Sequence, residues 1–368
     1  MKKTITICFA ALIVVSCTVK KEDVKVIEIN KSTKVLNAQA LIHSGRFIKL
    51  ETTNESLIGE IIEIKLYKKL LYILEQTGSL SRILVFDLSG NFKYELGSYG
   101  RGPEEIQNPR SFCFKDSSVF IWDKNIHQLS LNNQYIQKLF ECFVGGTTFD
   151  IWDNQFIIFH GASKNAFVSL YDFQGNLKNK LKVTDMNYEI GPSEEDAIIK
   201  TGESIAFYSP MLDVIYTIKE NKLVPLYKFR YNNMQSISHV MPKEEVNPYE
   251  LLELLNSSSY CRNNKYFENN NLIFFTSDYN QKNISTLLLK DRWESISFAS
   301  MYNKNLKIDM TPDFMIDDKT FCKVFNIYEL SKNKKINLKA NHQLHSFVEN
   351  SNIDDNPILF TYNFKKNK

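Results

Sequence analysis

The sequence lacks a dominant charge: 45 Lys and Arg stand against 42 Asp and Glu, interspersed along the chain. That excludes the concentrated basic face that nucleic-acid binding requires. No apolar run reaches the roughly 20 residues of a permanent membrane helix. Cysteine is sparse, six in 368 residues, with no C-x-x-C spacing. Cys113, Cys142, Cys261 and Cys322 are widely scattered and read best as buried free thiols. No G-K-[ST] follows a glycine-rich turn, so a phosphate loop is absent, and no G-x-S-x-G marks a hydrolase nucleophile elbow. His43, His127, His160 and His239 stand alone. His342 and His345 share one helix face but have no third ligand at matching spacing, so neither a metal nor another cofactor is expected.

What is present is apolar and aromatic. Apolar residues make up 43% of the chain, with 26 Phe and 18 Tyr, enough to bury a large core. At the start, Lys2 and Lys3 precede an apolar run from Ile5 to Val15, and Ser16 precedes Cys17. The run suits an export signal, and Val14-Val15-Ser16-Cys17 resembles a lipobox. Residues 1–16 are therefore read as a signal peptide and Cys17 as the lipidated first residue of the mature protein. Removing residues 1–16 takes away two lysines and no acids, leaving 43 basic against 42 acidic residues. Residues 17–44 read as a tether, within which Lys21-Glu22-Asp23 resembles the export signal of some surface lipoproteins of Bacteroidetes-type bacteria.

Behind the tether, residues 45–368 read as one all-β domain. Short apolar runs such as Leu70–Leu74, Val119–Trp122, Phe156–Phe159, Ile205–Tyr208 and Leu272–Phe275 lack alternation, which marks strands buried on both faces. Clusters of Asn, Gly, Asp and Ser separate them. One repeat is direct: Val85-Phe86-Asp87-Leu88-Ser89-Gly90-Asn91-Phe92-Lys93 is echoed 85 residues later by Leu170-Tyr171-Asp172-Phe173-Gln174-Gly175-Asn176-Leu177-Lys178. Halved, the offset gives a period of roughly 43, the length of a four-stranded propeller blade. The shared D-x-x-G-N segment predicts the hairpin between the two outer strands.

The pattern lapses from about Asn232 to Tyr260, where Asn247-Pro248 and the following leucines predict a short helical insertion. A second helical stretch is expected within Asn333–Glu349. The final apolar run, Pro357 to Phe364, is expected to pair with Phe47-Ile48-Lys49-Leu50, closing the ring without a free edge.

Tyr72-Ile73-Leu74, Arg82 to Asp87, Gly90, the segment Gly100-Arg101-Gly102-Pro103-Glu104-Glu105 and the closing Asp355-Asn356-Pro357 together resemble the six-bladed β-propeller lipoprotein family of Bacteroidetes-type bacteria, with NHL-like blades. The resemblance implies an all-β, six-bladed β-propeller with short helical insertions, TolB-like, exported and without established activity. Its most specific part, around Arg101, Glu104 and Glu105, offers glycine-permitted backbone and three charges at a channel mouth. The plainer reading is a corner between blades. Trp293, beside Arg292 and Glu294, is the tryptophan best placed to stack on a sugar; Trp122 and Trp152 read as packing. Glu194-Glu195 and Asp317-Asp318 do not form a glycosidase pair on spacing alone. The expectation is a monomeric outer-membrane lipoprotein on the periplasmic or cell-surface face, with the lipid as its sole membrane contact. It would be a non-enzymatic binding or scaffold module for a glycan, peptide or protein partner; a carbohydrate-active hydrolase or lyase is the alternative.

Overall fold

A computed structural model describes residues 24–141, 148–161, 167–183, 196–202, 204–241 and 248–365. The signal segment 1–16, Cys17, Cys142 and Glu194-Glu195 lie outside the described residues.

Sheet I is a meander of Glu60–Tyr67, Leu70–Thr77, Leu80–Asp87 and Phe92–Glu95. Sheet II repeats it with Ser111–Lys115, Ser118–Trp122, Asn125–Ser130 and Tyr135–Glu141, and sheet III with Thr148–Trp152, Gln155–Phe159, Val168–Tyr171 and Leu177–Leu181. Sheet IV contains Ala197–Thr201, Ser204–Tyr208, Val214–Lys219 and Lys222–Asn232; sheet V contains Arg262–Glu268, Leu272–Tyr279, Lys282–Leu289 and Glu294–Phe298. Sheet VI is Phe314–Met315, Phe321–Phe325, Ile358–Phe364 and Ile42–Lys49. The first strands of sheets II and III, III and IV, IV and V, and VI and I touch one another, so they are the innermost strands of a propeller.

The expected count of six is corrected to seven sheets. The seventh is small, three-stranded, and made of Val35–Asn37, Ser300–Asn303 and Ile308–Asp309. Its key pairing, Val35 to Ser300 in parallel, joins segments remote in sequence, which no local repeat reveals. The tether is corrected as well. Lys25–Asn30 adds a fifth, parallel strand to the outer edge of sheet IV, pairing Lys25 with Tyr227 through Asn30 with Asn232. Built-in structure therefore begins about twenty residues before residue 45.

The apolar runs behave as strands between two neighbours. Leu71, Tyr72, Ile73 and Leu74 are at most 1% exposed, and Phe156 to Phe159 are fully buried, because sheets cover both faces. Core clusters fill the gaps between successive sheets: Tyr72, Val85 and Phe112 between I and II, Phe120, Trp122 and Phe156 between II and III. The cluster between V and VI also takes in Met301, Leu306 and Ile308 around the small sheet.

The two D-x-x-G-N segments form identical turns between the third and fourth strands of sheets I and III. Asp87 Oδ1 accepts from the Ser89 and Asn91 amides at 2.8 and 3.0 Å, and Asp172 Oδ1 accepts from Gln174 and Asn176 at 3.0 and 2.8 Å. Gly90 and Gly175 adopt φ of 92° and 84°, which glycine tolerates and other residues resist. Closure follows the expected pairing, with Ile358 opposite Lys49, Leu359 opposite Ile48 and Phe360 opposite Phe47. Helices Pro248–Asn256 and His342–Glu349 occupy the two expected insertions, and a third, Ile327–Lys332, capped by Asn326, was not foreseen.

Candidate functional site

The chain from Gly97 to Ile106 crosses from sheet I to sheet II, pinned at its ends by the Ile106 amide donating to Ser98 O at 2.8 Å and the Gly100 amide to Ile106 O at 3.0 Å. Glu105 folds back on this loop. Its Oε2 accepts from the Gly102 amide at 2.6 Å, and a Cβ at position 100 would lie 2.0 Å from that oxygen. A side chain at position 100 would push the half-buried Glu105 carboxylate out of this place. Arg101 and Glu104 are exposed.

The loop faces the outer hairpin of sheet II across an open cavity of about 410 Å³, bordered by Ser98, Glu104, Glu105, Leu129, Asn133 and Tyr135. Asn133 fixes the spacing: its Oδ1 accepts from the Gly97 amide at 2.6 Å and its Nδ2 donates to Glu95 O at 3.0 Å. Behind Tyr135 runs a short polar chain. Tyr135 Oη lies 3.4 Å from His127 Nδ1, and His127 Nε2 lies 3.3 Å from Asp123 Oδ1. A carboxylate only accepts, so in the neutral imidazole Nε2 carries the proton and Nδ1 is left to accept from the phenol. In that tautomer Tyr135 presents an oxygen lone pair to the groove.

Burial acts to raise the Asp123 pKa, but hydrogen bonds from His127 and the Gln107 and Asn125 amides outweigh it and hold the carboxyl well below the usual range. The Tyr135 phenol moves the other way, raised by burial and then by Glu104 and Asp123. It stays protonated at neutral pH, which suits a positioning group and not a nucleophile. The groove therefore offers acceptors, two carboxylates and a phenol oxygen, with no Lys or Arg among the residues that border it.

Arg101, Glu104 and Glu105 thus sit on one loop, with both glutamates at the groove. Trp293 is elsewhere, on sheet V. Its Nε1 donates to Val26 O at 2.9 Å, Lys25 Nζ lies 4.4 Å from its ring centroid, and the Tyr227 ring is 5.4 Å away. The side chain clamps the N-terminal strand. His127, read as isolated, is the residue behind this groove that the sequence hid; the nearest signal was Asp123 four positions ahead in the turn before its strand. His345 pairs with Glu349 at 3.4 Å, Asp317 caps the turn to Thr320, and no group of three metal-binding side chains occurs among the described residues. Cys113, Cys261 and Cys322 are buried thiols. No helix among the described residues is long and apolar enough to cross a membrane.

A family profile described as a domain of unknown function, DUF4934, matches residues 22–363. No curated protein is similar in sequence. Among solved structures, an exported protein of Bacteroides fragilis superposes with a TM-score of 0.73 at 17% identity, covering 93% of this chain and 100% of its own. The extracellular domain of a hybrid two-component system from B. thetaiotaomicron reaches a TM-score of 0.41 at 11% identity over 68% of this chain and 29% of that one. These likenesses concern the fold.

Proposed function

The chain belongs to the DUF4934 family, and from that premise we propose that it is a lipid-anchored envelope propeller whose rim groove binds a basic segment of a peptide or protein partner. The signal-like residues 1–16, the lipobox at Cys17 and the exported B. fragilis propeller support the address. The observation that carries the binding mode is a lining with two carboxylates and no cation. Glu104 is exposed, the Tyr135 hydroxyl has a lone pair free for the groove when its hydrogen points to His127 Nδ1, and no cation borders the cavity. An ammonium or guanidinium group would bind such a surface through charge-assisted hydrogen bonds and rest on the Tyr135 ring. Arg101, outside the lining, would meet an acidic neighbour of the basic residue.

Fluorescence anisotropy with Lys- and Arg-containing peptides tests this. Basic peptides should bind more weakly as salt rises, and Glu104→Gln should weaken them roughly 2–5-fold, as expected of a rim charge. Equal affinity for acidic peptides, or indifference to Glu104→Gln, would remove the reading. The anchor is tested separately: Cys17→Ser should release the protein from the membrane fraction.

A further inference from the structure

The face that sheet VI turns toward sheet I changes character along its length. Ile48 stands opposite Leu359, Arg46 opposite Thr361 and Ser44 opposite Asn363 on adjacent antiparallel strands. Directly opposed residues, and residues two apart, point to the same side, so all of these share one face. At one end Ile48, Leu359 and Cys322 are at most 2% exposed and cluster with Ile64, Leu71 and Ile73 of sheet I. Toward the other end the face becomes Arg46, Thr361, Ser44 and Asn363, while sheet I still presents Leu66 and Leu88. There the two sheets border an open cleft of about 280 Å³. On its inner side the Leu66 amide donates to Ile316 O at 2.6 Å, joining one wall to the other.

Three polar side chains of this cleft have no partner among the described residues. Thr361 is only 6% exposed, yet its hydroxyl makes no hydrogen bond and borders the cleft. Arg46 and Ser44 are exposed and make no side-chain hydrogen bond or ion pair. The neighbours are committed instead: Thr320 Oγ1 donates to Asp317 Oδ2 at 3.1 Å, and the Asn363 amide nitrogen donates to Lys319 O at 2.9 Å. Native proteins rarely leave a buried hydroxyl unpaired. Arg46 is the one charged side chain among the described residues that border the cleft, and no carboxylate opposes it there. A fitting ligand therefore carries one negative charge, accepts from a guanidinium and two hydroxyls, and has an apolar part to lie on Leu66, Leu88 and Ile316. A carboxylate matches the guanidinium fork. A phosphate dianion would find a single cation and an apolar wall.

We propose that the cleft between sheets VI and I binds an aliphatic monocarboxylate, with Arg46 forked onto the carboxylate and the Thr361 and Ser44 hydroxyls donating to it. The site is separate from the rim groove and of opposite charge. Calorimetry and saturation-transfer NMR on the full chain test it, with acetate, butyrate and hexanoate as free acids and N-acetylleucine standing in for a peptide C-terminus. Hexanoate or N-acetylleucine should bind, the tighter of the two naming the source of the carboxylate. Affinity should rise roughly three- to fourfold per methylene from acetate to hexanoate. Arg46→Gln should weaken binding roughly tenfold, whereas Arg230→Gln, which removes the same charge from the outer strand of sheet IV, should leave it unchanged. Thr361→Val should weaken it about threefold without lowering the melting temperature, because the hydroxyl it removes is unpaired in the free protein. Failure of both hexanoate and N-acetylleucine to bind would overturn the proposal. So would hexanamide or inorganic phosphate binding as tightly as hexanoate, or binding that neither Arg46→Gln nor Thr361→Val alters.

Discussion

Single residues show best how burial and charge were balanced against each other. Glu75 is fully buried, yet its carboxylate accepts from Arg82 Nε at 2.6 Å, the Gly59 amide at 2.9 Å and Thr77 Oγ1 at 2.8 Å. Arg82 also reaches Glu95 at 3.0 Å. Arg82→Met would leave that carboxylate buried and short of its main partner, at a cost of about 3–5 kcal/mol in urea unfolding. Much of the loss should return in the Glu75→Gln, Arg82→Met double variant, since the charge is then gone. Asp123 allows a pH test. Its folded pKa is depressed, so its contribution is fully present above the unfolded carboxyl value of about 3.9 and fades as pH falls below it. The stability gap between wild type and Asp123→Asn should be full at pH 7, begin to shrink below about pH 4 and go on shrinking as pH falls toward the depressed folded value; a gap that is the same at every pH would mean the carboxylate is not what the site uses.

At the level of elements, what the sequence made legible was local. The D-x-x-G-N hairpins, the doubly buried runs and the two insertions follow from turn chemistry and periodicity, which act over a few residues. The N-terminal strand did not reveal itself. Lys25–Asn30 is six residues of mixed charge, and only its parallel partner, some 200 positions away, makes it a strand. Trp293 was singled out for exposure to sugar, whereas its indole hydrogen-bonds this strand, a contact that spans 267 positions. Trp293→Ala should accordingly speed amide exchange across residues 25–30 far more than in sheets I to III; uniform exchange throughout would show that the clamp is not local.

For the molecule as a whole, closure was readable because both halves of sheet VI are apolar runs at the two ends of the domain. The sheet count was not, since the small sheet depends on a pairing without repeat or pattern. The rim loop was legible through its glycines, and the ion pairs of the innermost strands were not, because Lys200 meets Asp150, and Lys65 meets Phe112, only through the packing of neighbouring sheets. Closure also predicts cooperativity. Leu359, fully buried between sheets VI and I, holds the ring shut, and Leu359→Ala should cost about 2–5 kcal/mol. The loss should appear as a single transition seen equally by circular dichroism and tryptophan fluorescence, with separate transitions counting against one cooperative ring.

The fifth strand of sheet IV has a mechanical consequence. Val24, the first described residue, lies seven positions after Cys17, a span of at most about 25 Å. Were Cys17 lipidated as proposed, the toroid would ride close to the bilayer, leashed by its rim between sheets IV and V. A pull from the membrane along the strand would then load six residues of parallel ladder together.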